Sequence, residues 1–193
     1  MASSTPPCPR RTLLRLPLAA ALALPLGSRA QATGSELPPE VAQFLPQGQV
    51  QGTARLRYLL WDVFDATLWT QAGFRGAQYF EYAFALELRY LRRFSSEALV
   101  DSSLQEIRRA GSLDASKEAA WTAAMQSAFT DVQSGDRITG VHRPGAGVRF
   151  YFNGRLRASV EDAVFARAFF GIWLSPTTSE PRLRSALLAG SAP

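Results

Sequence analysis

The chain has 193 residues, with 21 Lys and Arg against 16 Asp and Glu, one His, one Cys and a formal net charge of +5. A lone cysteine excludes an intrachain disulfide framework, and a lone histidine has no partner for a zinc site. The basic balance would suit nucleic acid only if it belonged to the folded part, and most of it does not.

Residues 1–15, "MASSTPPCPRRTLLR", are basic and carry no acid; "LPLAAALALPLG" follows as an apolar run, and "SRAQA" supplies small residues. These are the three parts of a secretory signal, and the run is shorter than the ~20 residues a bilayer span needs. Arg10-Arg11 also resembles a twin-arginine signal, although Pro9 precedes the pair. We read residues 1–32 as a signal peptide, so the mature chain is expected in the periplasm or secreted. Its removal takes away Arg10, Arg11, Arg15 and Arg29 and no acid, so the +5 falls to +1. Cys8 leaves as well. About 160 residues then remain, enough for one core, and no nucleic-acid partner or transmembrane segment is expected.

Residues 33–48 contain three prolines and no clear periodicity and read as a lead-in segment. Residues 54–69, "ARLRYLLWDVFDATLW", are rich in aromatic and branched residues and predict two strands or one bent strand. Residues 71–82 read as loop. In "FALELRYLRR", Phe84, Leu86, Leu88 and Tyr90 alternate with Glu87 and Arg89, the period of a half-buried strand.

Two helices are predicted next. Ser95 or Ser96 caps the first, with Leu99, Leu104 and Ile107 inward and Gly111 as the stop; Asp114 caps the second, with Trp121, Met125 and Phe129 inward. Three short strands follow, "RITGVHR", "VRFYFNG" and "RLRASV", joined at "RPGAG" and at Asn153-Gly154, a tight hairpin signal. Glu161 and Asp162 open an aromatic helix, and Pro181 begins the last one. The order of elements predicts an α+β fold, a mostly antiparallel sheet with a layer of helices on one face.

The aromatic helix, "VFARAFFGIWLSP", poses a question. Phe165, Ala168, Phe169, Ile172 and Trp173 share one helical face, while Phe170 and Leu174 fall beside Arg167 on the other. Either more protein or a ligand must cover the second face. Chemistry-bearing motifs are few. His142 reads as a solvated residue at a strand end, and Gly145-Ala146-Gly147 reads as a turn. Asp62 and Asp65, three apart on a strand, are expected on opposite faces. Arg55 and Arg57 share a strand face with apolar neighbours; they read as a salt bridge to Asp65, as strand-end arginines in water, or as at least one buried guanidinium reserved for an anionic or carbonyl ligand.

The phrases "RLRYLLWDVFDATLW", "FALELRY", "DVQSGDRITGV", "RFYFNGRL" and "FARAFFGIWLSP" with "RLRSALLAG" together resemble the chalcone isomerase-like proteins exported by bacteria. The resemblance covers about residues 52–190 and places the domain at 49–190. It implies an open-faced sandwich with a ligand cleft between sheet and helices. That fold group includes enzymes that cyclise chalcones and non-enzymatic members that bind fatty acids. The resemblance places the cleft arginine at Arg57, with Arg55 as the other register. It places Phe64, Ser95 and Ser102 where the enzymes carry a threonine, a tyrosine and an asparagine. A serine lacks the reach and acidity of a phenol, and Phe64 has no hydroxyl.

The expected function is therefore an exported, non-catalytic binder of a small lipophilic acid such as a fatty acid. The expected ligand contacts are Arg57, Phe64, Ser95, Ser102 and Phe170, and no catalytic residue, metal or cofactor is expected. The alternatives are an isomerase of the chalcone isomerase type and a structural protein partner in an envelope or redox complex.

Overall fold

Alternating residues and tight turns build a six-stranded sheet in which every strand pairs antiparallel with its sequence neighbour, in the order β1 to β6. The computed structural model describes Met1 and residues 36–111, 113 and 115–191. All elements named here lie in the second of the chain's two units, Ser35–Pro193. The signal-peptide reading and the cap at Asp114 fall outside the described residues.

The strands are β1 (Gln49–Tyr58), β2 (Trp61–Thr70), β3 (Phe84–Tyr90), β4 (Arg137–Arg143), β5 (Gly147–Phe152) and β6 (Arg155–Val160). The stretch at 54–69 is thus two strands, folded about Leu59-Leu60. The predicted loop at 71–82 contains a short 3-10 segment, Gly76–Glu81. Asn153 and Gly154 both take positive φ, 48° and 82°, as a two-residue turn with the twist of its strands demands.

The helices are α1 (Pro39–Ala42), α2 (Ser96–Arg109), α3 (Ala115–Ala128), α4 (Ala163–Leu174) and α5 (Pro181–Leu187). Their starts follow local chemistry. Ser95 Oγ accepts from Ala98 N at 3.2 Å, which fixes Ser95 rather than Ser96 as the cap of α2. Asp162 caps α4 by accepting from Val164 N and Phe165 N, and it also accepts from the Trp121 indole at 3.0 Å.

One sheet face carries Phe84, Leu86, Leu88, Ile138, Val148 and Phe150 into the main core, against helical side chains such as Leu104, Ile107, Trp121, Met125, Phe165 and Phe169. The opposite face carries a smaller cluster of Trp69, Ala85, Val141 and Tyr151, covered by Val41 and Leu45 with Leu37 and Phe44 beside them. Residues 37–45 are therefore part of the packed domain, not a lead-in. Buried Glu40 fastens them to the sheet through Arg137 Nη2 at 2.9 Å. Burial raises the carboxyl of neighbouring Glu87 above its ordinary range.

Two expectations require correction. His142 is buried, not solvated: its ring stacks on Phe84 with centroids 4.8 Å apart, and Nδ1 lies 2.8 Å from Tyr82 O. It sits opposite Phe84 in the sheet, so it points to the helix side. Burial lowers its pKa. The second correction concerns α4. Its buried stripe is Phe165, Ala166, Phe169, Phe170, Trp173 and Leu174, rotated from the predicted face, with Ala168 and Ile172 only half-buried. Phe170 meets the sheet edge-on at Phe84, 4.7 Å between centroids. Protein covers the remainder: Tyr79 Oη donates to Arg167 O at 3.4 Å, and Arg167 lies 4.0 Å over the Phe80 ring.

Candidate functional site

The turn between β1 and β2 joins Tyr58 to Trp61 through Leu59 and Leu60. Leu59 has φ 54°, a left-handed conformation that costs a branched L-residue roughly 1–2 kcal/mol and that glycine would adopt freely. Next to it the ladder slips. Leu56 pairs with Phe64 but Arg57 pairs with Asp62, so Val63 is an extra residue, a β-bulge. The bulge lets Val63 and Phe64 both pack against the main core. It also turns Asp62 to the face that carries Asp65, against the expectation of opposite faces.

Both carboxylates then meet Arg55. Its Nε and Nη2 reach Asp65 at 2.6 and 2.9 Å, a bidentate fork, while Nη1 reaches Asp62 at 3.0 Å. Arg57 Nε donates to Asp62 at 2.6 Å. The hydrogen bond from Arg57 is the main cause that holds the Asp62 carboxyl below the usual carboxylate range, and Asp65 holds Arg55 firmly in its charged form. These pairs are solvated, so they order the hairpin more than they stabilise the fold.

Beside the turn lies an open hollow of about 780 Å³, lined by Arg55, Arg57, Leu59, Leu60, Trp61, Asp62, Leu91 and Arg92. The Arg92 guanidinium lies 4.1 Å from the centroid of Trp61, at the range of a cation–π contact. Arg92 makes no ion pair among the described residues, and Arg57 engages Asp62 through Nε alone. The hollow thus offers guanidinium donors next to leucine and indole surface. That set suits an anion carried on an apolar body. Among the described residues, no group of three or more His, Cys, Asp or Glu could hold a metal ion.

The residues predicted for a binding site are not brought together. Arg55 and Arg57 leave β1 on the face opposite Ala54 and Leu56, which pack on the core. The Arg57 side chain is 71% exposed, so its guanidinium is not buried among apolar groups as one reading had it. Phe64 is buried edge-on against Tyr90, 6.1 Å between centroids. Ser95 is occupied as a helix cap, Ser102 is exposed on α2, and Phe170 is completely buried against the sheet. The space between sheet and helices, where a cleft was expected, is packed with Phe84, Phe150, Phe165, Phe169 and Phe170. Arg92 is the residue that sequence reasoning missed. Its only signal was the Arg92-Arg93 pair just past a strand.

The model of the chalcone isomerase-like family matches residues 31–189. The chain belongs to the chalcone isomerase-like family. Its fold is also similar to the crystal structure of an Arabidopsis thaliana fatty-acid binding protein, at 11% identity and a TM-score of 0.59, over 73% of this chain and 86% of that one. No curated protein matches the sequence. At that identity the likeness shows the chalcone isomerase-like fold, an open antiparallel sheet with helices.

Proposed function

We propose that this chalcone isomerase-like chain is a non-catalytic binder of a small lipophilic acid such as a fatty acid, acting outside the cytoplasm after removal of residues 1–32. One observation carries the reading: the hollow at the β1–β2 turn combines Arg57 and Arg92 with Leu59, Leu60, Trp61 and Leu91. A carboxylate accepts from guanidinium, and an alkyl chain gains by covering leucine and indole surface. Two further points support it. A structure of similar fold is a fatty-acid binding protein, and the sequence resemblance sets Phe64, Ser95 and Ser102 against the hydroxyl and amide groups of the family's enzymes.

In this reading Arg57 fixes the charged end of the ligand, as the sequence suggested, but from the solvent-exposed turn end of the hairpin. Native mass spectrometry of the protein purified from its producing cells tests the proposal. A bound lipophilic acid on a chain that begins near residue 33 is the expected result. A chain that retains Cys8 would refute export. A protein that carries no acid, and takes none up on incubation, would refute binding.

A further inference from the structure

Four consecutive side chains at the β1–β2 turn stand in solvent: Tyr58 is 67% exposed, Leu59 82%, Leu60 95% and Trp61 59%. A water-exposed two-residue turn normally takes Asn, Asp or Gly. Here it holds two leucines, the first at a positive φ that its side chain disfavours. Neither leucine gains packing within the domain in return. Aromatic residues flank them, and guanidiniums stand just behind, with Arg92 stacked on Trp61 and Arg57 beside it in the same hollow.

We propose that this hairpin tip is a membrane-docking device that takes an anionic lipid bilayer. Leu59 and Leu60 enter the acyl boundary. Tyr58 and Trp61 lie at headgroup depth, where amphipathic rings are favoured. Arg57 and Arg92 meet lipid phosphates, and the only acid lining the hollow, Asp62, already receives the Arg57 Nε bond. No helix among the described residues is long and apolar enough to cross a membrane, so the contact is peripheral.

A second copy of the chain fits this surface less well. Two tips meeting about a two-fold axis would oppose like guanidiniums, and four side chains fall short of the roughly 800 Å² per partner of a stable interface. The tip shares residues with the proposed fatty-acid site, and a bilayer free of fatty acid tests the docking by itself.

The chain supplies its own probe. Of its four tryptophans, Trp69, Trp121 and Trp173 are buried and Trp61 is exposed, while residues 1–32 contain none. The full chain is mixed with vesicles of phosphatidylcholine and phosphatidylglycerol, with and without brominated acyl chains. Trp61 emission is expected to shift to shorter wavelength and to be quenched by bromine, more strongly as the anionic fraction rises. Trp61→Phe should abolish the change. Leu60→Ser, at a position without packing partners, should leave folding intact and weaken the Trp61 response at least about tenfold. Cosedimentation without quenching of Trp61 would overturn the proposal, because the bilayer would then be held elsewhere. So would an unaltered response in Leu60→Ser, no association at all, or lipid-free dimerisation that buries Trp61.

Discussion

The ring of Phe170 stands so close to Gly140 that a Cβ at that glycine would lie 3.2 Å from two ring atoms. Helix α4 therefore rests on the sheet without a gap where a ligand cleft was expected. Gly140→Val should force the ring aside and cost about 1–3 kcal/mol, outweighing the better strand propensity of valine. Urea unfolding monitored by circular dichroism measures this. Replacing the ring, as Phe170→Leu, should cost less in a Gly140→Val background than it does alone. Purely additive effects would show that the two sites are not in contact.

Asp162 serves two elements at once, the first turn of α4 and the indole of Trp121. Asp162→Ala should cost about 2–4 kcal/mol, one part for the cap and one for a buried indole N–H left without an acceptor. Asp162→Asn should retain the cap and lose mainly the bond to Trp121. Equal denaturation midpoints for the two variants would contradict this division.

His142 gives the stability a pH dependence of known sign. Burial depresses its folded pKa below the ordinary 6.5, so the unfolded chain takes up the proton first. Its contribution is fully present above about pH 6.5 and is lost as pH falls from there through the folded pKa. Glu87, raised by burial, acts in the opposite sense, becoming less unfavourable as it is protonated. The difference between native protein and His142→Gln isolates the histidine, which is the only one in the chain. The stability advantage of the native protein over the variant should shrink between about pH 7.5 and pH 5. An advantage independent of pH would mean that His142 titrates alike in both states.

The sheet and helices were largely legible in the sequence, because their signals are local. Alternation marks β3, Ser95 and Asp162 announce α2 and α4, and Asn153-Gly154 closes a hairpin. What was not legible depends on partners distant in sequence. The bulge at Val63 arises from pairing across β1 and β2, and no composition marks it, yet it gathers Asp62 and Asp65 about Arg55. His142 looked like a strand-end residue until its register opposite Phe84 placed it inside. The second face of α4 is covered by Tyr79 and Phe80, from a segment that reads only as loop. Of the site, Arg57 was named from sequence but expected in a cleft, and Arg92 was not named.

Chalcones should not be cyclised at an appreciable rate. Phe64 is sealed in the core, Ser95 is committed to its helix, and Ser102 faces solvent on α2, so these three positions do not converge on a carbonyl. Each missing donor of this kind commonly costs about a hundredfold in rate. The loss of chalcone absorbance with purified protein measures this, and turnover well above the uncatalysed rate would restore the isomerase reading.

Calorimetric titration of a long-chain fatty acid into the native protein and into Arg57→Met tests the central claim most directly. The substitution removes a solvated ion pair and should leave the circular dichroism spectrum unchanged. The native protein should bind, and Arg57→Met should bind about ten- to a hundredfold more weakly, the worth of a charge-assisted hydrogen bond. No binding by the native protein, or equal affinity in two equally folded proteins, would contradict the account.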